Sequence, residues 1–311
     1  MNTNLRLEWI LAVVGLGFLA GALRASWGDI VAGFAWSSER VLLAVAVDLA
    51  ALTAFAGAWC MLDDPGRRGR AFRRYLMVQP AKHIPGGVAH PVGLISASSA
   101  DRSLTDSVGQ FVRLSILLVG AALSIGITLL SDASTRLAGL FALLGTIATL
   151  FLVLRLQSSQ HVDRLILRTL RWISRGRVTA GRVAFEGTRS MYAISAALAL
   201  VGMAFLSAGF AILAVSAEGM PNPVLLVGAF ALAWVVGYLI VPFPAGLGLR
   251  EAALVVILGS LAPSYGSVLA AAVIQRLCQV VAEVIAVAFG YGAEGVVRIP
   301  RRSVGAPDGP P

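Results

Sequence analysis

The sequence predicts an all-α membrane protein, a polytopic bundle of about eight transmembrane or half-membrane helices. Hydrophobic residues make up 58% of the 311 residues and charged residues only 13%, and the mean hydropathy is +0.83. A soluble chain carries about twice that charged fraction. The apolar runs also approach the roughly 20 residues that a helix needs to cross a bilayer. The two cysteines, Cys60 and Cys278, both fall in such runs and are predicted to be buried free thiols.

Eight apolar runs are the candidate membrane helices, with boundaries predicted to within about two to four residues. They cover residues 9–27, 40–62, 108–130, 136–156, 191–216, 223–242, 250–262 and 267–292. The first run lacks a clear cleavage site, which predicts a retained signal-anchor helix. The seventh, Glu251–Leu261, is too short for a comfortable full crossing, so a half-helix or a re-entrant segment is the alternative.

Basic residues concentrate in alternate connections between these runs. Segments 62–106 and 157–190 each hold seven Lys or Arg residues, whereas 131–135, 217–222 and 262–266 hold none. The positive-inside rule therefore predicts two long cytoplasmic loops and cytoplasmic termini. The net charge of +9 is explained by orientation and contact with anionic lipid, so no nucleic-acid partner is expected.

Two basic stretches have a predicted structure of their own. In Val162–Arg175 four arginines share one helical face, which indicates an interfacial amphipathic helix or charge that only sets topology. The last residues, 297–311, are rich in Gly and Pro and are predicted to be a disordered cytoplasmic tail.

The segment Val241–Glu251 is the first candidate site. Gly246 and Gly248 permit close backbone approach, and a helix is predicted to begin near Arg250 and Glu251. A helix N-terminus favours an anion such as phosphate, and Arg250 adds a cation suited to bidentate contact. Glu251 in the first turn would favour the helix dipole and orient Arg250. The alternative is a tight turn with one topology-setting Arg and one capping Glu.

The segment Lys82–Gly87 is the second candidate site. Lys82 is the only lysine among 25 basic residues, which suggests a specific need for a compact ammonium. Pro85 and Gly86 interrupt the chain beside it. His83 and His90 lie close by without a third ligand, so a loop or interface role is expected rather than a metal site.

The last predicted span carries the third candidate, a polar stripe. Arg276, Gln279 and Glu283 follow i, i+3, i+7 spacing and therefore share one face. Intramembrane charges normally face a bundle interior or an aqueous cavity, so we predict a cavity-lining role, with internal salt bridges as the alternative. Asp48 and Arg113 are further cavity candidates, Asp48 as a partner of Arg276 or Arg113, and Arg113 with snorkelling to the interface as its alternative.

The two broken segments resemble each other and, together, a known family. Tyr75–Pro80 and Tyr238–Phe243 are alike, and each precedes a Gly/Pro break, which indicates an internal repeat or chance similarity. Pro244-Ala-Gly-Leu-Gly-Leu-Arg-Glu251 and Lys82-His-Ile-Pro-Gly-Gly87 resemble, in order and separation, the signature segments of the lysylphosphatidylglycerol synthase transmembrane-region family. Ala81 and His83 depart from that pattern, where the family usually has glycine and tyrosine.

The resemblance implies a flippase-like transmembrane domain over residues 1–296, a stand-alone member without the soluble aminoacyltransferase domain. It implies that the protein binds and translocates an anionic phospholipid or polyprenyl-phosphate-linked lipid. Lys82, Pro85, Gly86, Gly246, Gly248, Arg250 and Glu251 would hold the headgroup. No cofactor, metal or enzymatic activity is expected, because no recognisable catalytic motif is present.

Two alternatives stay open at this point. One is a membrane-embedded transferase for a lipid-linked glycan, with Glu251 or Glu283 as the base. The other is an accessory scaffold for envelope-biosynthesis partner proteins, in which the charged stripe only packs helices. The sequence does not indicate an oligomeric state.

Overall fold

The computed structural model describes residue 24 and residues 37–83, 89–99, 103–130, 188–215, 219–239, 248–259, 261–262 and 265–292. Within these ranges the chain forms eight α-helices: α1 (Ser38–Met61), α2 (Arg68–Val78), α3 (Ala89–Ser99), α4 (Leu104–Leu130), α5 (Arg189–Ala214), α6 (Pro223–Leu239), α7 (Leu249–Leu258) and α8 (Tyr265–Gly292). Short 3-10 helices, Pro65–Arg67 and Gln79–His83, precede and follow α2. The predicted spans 9–27 and 136–156, the amphipathic stretch Val162–Arg175 and the tail 297–311 lie outside the described residues.

Four of these helices are long and apolar enough to cross a membrane, namely α1, α4, α5 and α8. The 24 residues of α1 rise about 36 Å, which exceeds a hydrocarbon core of about 30 Å. The predicted all-α membrane bundle is therefore confirmed. The 17-residue α6 is apolar but shorter, and the 10-residue α7 rises only about 15 Å. The seventh predicted span is thus a half-length helix.

The segment between the first two described spans is not the loop that its charge predicted. It contains α2 and α3, each of 11 residues, and these helices bury Tyr75, Leu76 and Leu94. α2 packs against α1 and α8, and α3 packs against α4. Each helix rises only about 16 Å, too little to span. Arginines are frequent near the start of α2, and basic residues are typical of cytoplasmic connections. The helical pattern of the segment was therefore missed.

The centre of the bundle is held together by small residues at helix crossings. α1 and α5 form the most extensive pairing, and a Cβ placed on Gly202 of α5 would come within 2.7 Å of Phe55 and 3.2 Å of the Ala51 carbonyl oxygen. Ser195 of α5 donates a hydrogen bond of 2.8 Å to the carbonyl oxygen of Ala58. Small residues let helix backbones approach in a membrane, where packing replaces the hydrophobic driving force. This packing sets α1 and α8 beside each other around a cavity.

Candidate functional site

A cavity of about 350 Å³ lies among all eight described α-helices and the 3-10 helix Gln79–His83. This volume is within the range of small-ligand sites in proteins. Its lining contains both polar and apolar side chains. The polar or charged ones include Asp48, Gln79, Lys82, His83, Arg250, Arg276, Gln279 and Glu283, and the apolar ones include Leu52, Phe55, Leu94, Phe111, Leu114, Leu118, Leu206 and Trp234. The cavity therefore offers an amphipathic environment inside a membrane bundle.

The predicted polar stripe of α8 faces this cavity. Arg276, Gln279 and Glu283 all line it, as their shared helical face indicated. Gln275, one residue earlier, is fully buried and points instead at α1, where its Nε2 donates to Oδ1 of Asp48 at 2.8 Å. One helix therefore supplies both the lining of the cavity and a contact behind it.

The N-terminus of α7 is capped by Glu251, a residue of the first turn of the same helix. Gly248 has a φ of 81° and starts the helix, which is a backbone conformation that glycine adopts without strain. Its N–H donates to Oε2 of Glu251 at 2.8 Å. The capping role expected of Glu251 is therefore present in the structure, and one of the free N–H groups of the helix start is occupied.

Glu251 is paired closely with Arg276 and only at longer range with its sequence neighbour, Arg250. Oε1 of Glu251 lies 2.9 Å from Nη2 and 3.1 Å from Nε of Arg276, whereas Nε of Arg250 is 4.0 Å away, beyond hydrogen-bond range. Glu251 is fully buried, so this ion pair joins α7 to α8 inside the bundle. The expected contact of Glu251 with Arg250 is present only as the longer ion pair, because adjacent helical residues do not face each other.

Arg250 is buried with few partners. Its side chain lies over the ring of Phe230, with Cζ 4.9 Å from the ring centroid, and Nη1 donates to Oε1 of Gln279 at 3.3 Å. Nε and Nη2 have no hydrogen-bond partner among the described residues, although the residue is only 5% exposed. A guanidinium stays protonated in proteins. The cavity thus contains a fixed cation with unused donors.

The 3-10 helix that follows α2 contacts α8 through side chains that line the cavity. Nε2 of His83 lies 2.8 Å from Oε2 of Glu283, and Lys82 forms an ion pair with Oε1 of the same carboxylate. The Lys82 and His83 side chains are 28% and 32% exposed, whereas Glu283 is 2% exposed. Glu283 is therefore a buried carboxylate held by two groups from another segment. In the described part of the chain no group of three metal-binding side chains occurs.

Asp48 lies deeper, on α1, and has a partner that the sequence did not indicate. It was expected to pair with Arg276 or Arg113, but it accepts its hydrogen bond from Gln275. Oδ2 of Asp48 and Oε1 of Gln275 are buried without a hydrogen-bond partner among the described residues. Arg113 is buried, at 2% exposure, and it is not among the residues that line this cavity. Its cavity-lining role and the alternative at the interface stay predictions.

Several cavity residues were missed by sequence reasoning. Tyr238 and Ser115 share a hydrogen bond of 2.7 Å, and Gln79 donates to the carbonyl oxygen of Tyr75 at 3.1 Å. Tyr75 and Tyr238 begin the two similar segments, Tyr75–Pro80 and Tyr238–Phe243. That similarity was the sequence feature that could have identified them. Burial and the nearby charge of Lys82 lower the pKa of His90 to about 3, so this ring is neutral at physiological pH. Pro85, Gly86 and Gly246 lie outside the described residues.

The fold and the cavity define a class: a helical membrane protein with charged groups around an internal cavity. Both broken segments contribute to that cavity, through Lys82 and Arg250. Compared with models of known protein families, the chain matches none, and no curated protein matches it. The family resemblance therefore depends on its two motifs alone.

Proposed function

We propose that this protein resides in a bacterial inner membrane and belongs to the flippase-like family that its motifs resemble. In this proposal it binds an anionic lipid by its phosphate and carries it across the bilayer. The observation that supports the proposal is the buried guanidinium of Arg250, whose Nε and Nη2 lack hydrogen-bond partners among the described residues. A polyprenyl-phosphate-linked lipid presents the same phosphate chemistry.

A buried cation with unused donors is costly unless something completes its shell. Leaving a charged donor without a partner costs more than about 1–3 kcal/mol, and Arg binds phosphate oxygens through paired N–H groups. The nearest carboxylate, Glu251, is already engaged by Arg276. A phosphate beside Arg250 would supply the missing acceptors and the missing negative charge.

The remaining walls suit an amphiphile. A volume of about 350 Å³ holds a headgroup but not two acyl chains. Leu239, at the end of α6, lines the cavity and is 60% exposed, which provides an apolar exit toward the outside of the bundle. We expect the headgroup to lie beside Arg250 and the other polar lining residues, while the acyl chains leave the cavity past Leu239.

Binding is favoured over catalysis by the state of the two candidate bases. Glu251 accepts from the Gly248 N–H with one oxygen and from Arg276 with the other. Glu283 is engaged by Lys82 and His83. A general base needs an available oxygen within reach of its substrate proton, so the proposal contains no chemical step.

A binding measurement tests the site directly. Purified protein would be titrated with dihexanoyl phosphatidylglycerol, with dihexanoyl phosphatidylcholine and with inorganic phosphate, so that headgroup charge and lipid chains are separated. We expect Arg250→Met to weaken phosphatidylglycerol binding about 10- to 100-fold, since a charge-assisted hydrogen bond contributes roughly 1.5–3 kcal/mol. Arg40→Met, at an exposed arginine of α1, is the matched control and should bind normally. Equal affinities in wild type and Arg250→Met would contradict the proposal.

A liposome assay tests movement. Fluorescent phosphatidylglycerol should exchange between leaflets faster in vesicles containing wild-type protein than in empty vesicles, and Arg250→Ala should remove most of that difference. Exchange above the empty-vesicle rate that is equal in wild type and Arg250→Ala would rule out the role given to Arg250. Wild-type exchange at the empty-vesicle rate would rule out unaided translocation.

A further inference from the structure

A second polar pair lies beside the proposed phosphate position and has a separate chemistry. Asp48 on α1 is 1% exposed and Gln275 on α8 is fully buried. The Gln275 amide donates one hydrogen bond to Oδ1 of Asp48, at 2.8 Å. The other oxygens of the two groups, Oδ2 of Asp48 and Oε1 of Gln275, are both buried acceptors without a partner in the part of the chain that the structure describes. Asp48 also lines the cavity.

A hydrogen atom on Oδ2 of Asp48 is the donor that a reciprocal pairing with Oε1 of Gln275 requires. A carboxylic acid and a primary amide can form two reciprocal hydrogen bonds, in which the amide N–H donates to one carboxyl oxygen and the carboxyl O–H donates to the amide oxygen. The structure contains the first of these bonds and leaves unpaired the two atoms that the second would join. An ionised Asp48 would place two unpaired acceptors together inside a membrane bundle, which is costly.

The helix behind this pair leaves room for it. A Cβ on Gly209 of α5 would lie 2.7 Å from Nε2 of Gln275 and 2.9 Å from Oδ1 of Asp48. Real Cβ atoms do not approach polar atoms so closely, so any larger residue would displace the pair. The absent side chain at Gly209 therefore allows the Asp48–Gln275 contact to form between α1 and α8.

The charges around Asp48 decide when it is ionised. The titratable or charged residues that share its cavity are Tyr75 from α2, Lys82 and His83 from the 3-10 turn, His90 from α3, Tyr238 from α6, Arg250 from α7, and Arg276 and Glu283 from α8. Cys278 of α8 also lies within electrostatic reach. α5 contributes only Gly209 and the apolar Leu206 here, and Arg113 of α4 is not among the lining residues.

Most of these charges are already balanced. Arg276 is paired with Glu251, and Lys82 with Glu283. Among the described lining residues this leaves Arg250 as the cation available to balance an ionised Asp48. A phosphate that binds to Arg250 takes over that balance and adds its own repulsion, so it removes the reason for Asp48 to stay ionised.

We propose that Asp48 is a proton-binding site that takes up one proton when an anion binds beside Arg250. This rests on the proposed function for its anion, while the proton site itself rests on the Asp48–Gln275 geometry. The proton comes from water, forms the O–H bond on Oδ2 and donates to Oε1 of Gln275. Na⁺ fits less well, because it would need several oxygen ligands, and in this pair only two oxygens lack a partner among the described residues.

Reciprocity gives the expected size of the effect. If anion binding favours proton uptake, then a proton must favour anion binding by the same factor. With one coupled proton, the anion affinity should rise up to about tenfold for each unit of decrease in pH across the range in which Asp48 titrates. Bilayer transport of the anion would then carry a proton with it.

The first experiment needs no anion. Infrared difference spectra of the purified protein between high and low pH should show the C=O stretch of a protonated carboxyl group. The band should be present in wild type and in Asp64→Asn, which alters an exposed carboxylate, and absent in Asp48→Asn. If Asp48→Asn does not fold, Gln275→Met serves instead and should shift the band, because the acid loses its amide partner. A wild-type spectrum without the band, or a band unchanged in both variants, would overturn the proton site.

The second experiment measures the coupling. Calorimetric titration with dihexanoyl phosphatidylglycerol in buffers of different ionisation enthalpy gives the number of protons taken up per anion. We expect about one in wild type and Asp64→Asn, and none in Asp48→Asn, whose anion affinity should be independent of pH. A parallel series at fixed pH with varied Na⁺ should show no effect, and Na⁺-dependent affinity would replace the proton by Na⁺.

The two proposals fail in different ways. If wild type binds no anion but shows the infrared band, the proposed function and the coupling are wrong and Asp48 remains a proton site. If wild type binds the anion with the same proton uptake as Asp48→Asn, the proposed function stands and the coupling is wrong.

Discussion

The cavity has two kinds of charged group that differ in how completely they are paired. The carboxylates Glu251 and Glu283 are each held by cations from another segment, Arg276 in one case and Lys82 in the other. Arg250 and Asp48 line the same cavity, yet neither has an oppositely charged residue within hydrogen-bond range. The paired groups connect elements of the fold, whereas Arg250 and Asp48 are the groups to which we assign an anion and a proton in our proposals. The difference predicts that mutations in the two sets affect stability and binding separately.

The largest loss of stability is expected for Glu251→Gln. The substitution removes the fully buried carboxylate that pairs with Arg276, itself only 12% exposed, and breaking a buried ion pair costs about 3–5 kcal/mol. Denaturant unfolding in detergent should show this decrease in the free energy of unfolding. Arg250→Met removes a cation whose nearest carboxylate oxygen, Oε1 of Glu251, is 4.0 Å away, so it should cost much less. A larger destabilisation by Arg250→Met than by Glu251→Gln would remove the distinction between the two sets.

Gly209→Ala should have the next largest effect and should act on the unpaired set. Its new methyl group would collide with the Asp48–Gln275 contact, and overpacking of this kind costs about 1–3 kcal/mol. The matched control is Gly69→Ala in α2, where an added Cβ meets nothing within 4 Å. That control should be as stable as wild type or slightly more stable. If both variants unfold alike, the close contact at Gly209 is not what constrains α5.

Lys82→Met should destabilise the protein moderately, by about 1–2 kcal/mol. Glu283 loses one partner but keeps His83, and Lys82 is partly exposed, which reduces the contribution of its ion pair. Lys82→Arg keeps the charge and should unfold close to wild type. Thermal unfolding of the three proteins compares them. A Lys82→Met protein as unstable as Glu251→Gln would mean that the Lys82–Glu283 ion pair contributes as much to stability as the Glu251–Arg276 ion pair.

The smallest effect is expected for Tyr238→Phe. It removes one neutral hydrogen bond to Ser115, of 2.7 Å, which contributes about 0.5–1.5 kcal/mol. Because this bond involves no charged group, phosphatidylglycerol affinity should not change. Calorimetric titration of Tyr238→Phe against wild type is the measurement. An affinity loss comparable to that of Arg250→Met would place the headgroup beside Tyr238.

Local patterns predicted a large part of this architecture. Long apolar runs indicated α1, α4, α5 and α8, because crossing a bilayer requires length and hydropathy that are visible in the sequence. The i, i+3, i+7 spacing put Arg276, Gln279 and Glu283 on one face. The same patterns did not predict α2 and α3. Both helices are too short to span, and the arginines of α2 are typical of a loop.

The pairing of charges was not predictable in the same way. Arg250 and Arg276 are both candidates for Glu251 by charge, and Arg250 is adjacent in sequence. The structure assigns Glu251 to Arg276, which is 25 residues away, and Gln275 to Asp48, 227 residues away.

By itself the sequence determined that the chain forms apolar helices, where two of its segments break, and which residue types could meet an anion. Only the tertiary structure decided which of those charges neutralise one another and which remain unpaired. The physical reason is that hydropathy and helical periodicity are properties of neighbouring residues. Ion pairing depends on distances of a few ångströms between helices, and these are set by the packing of small residues such as Gly202 and Gly209.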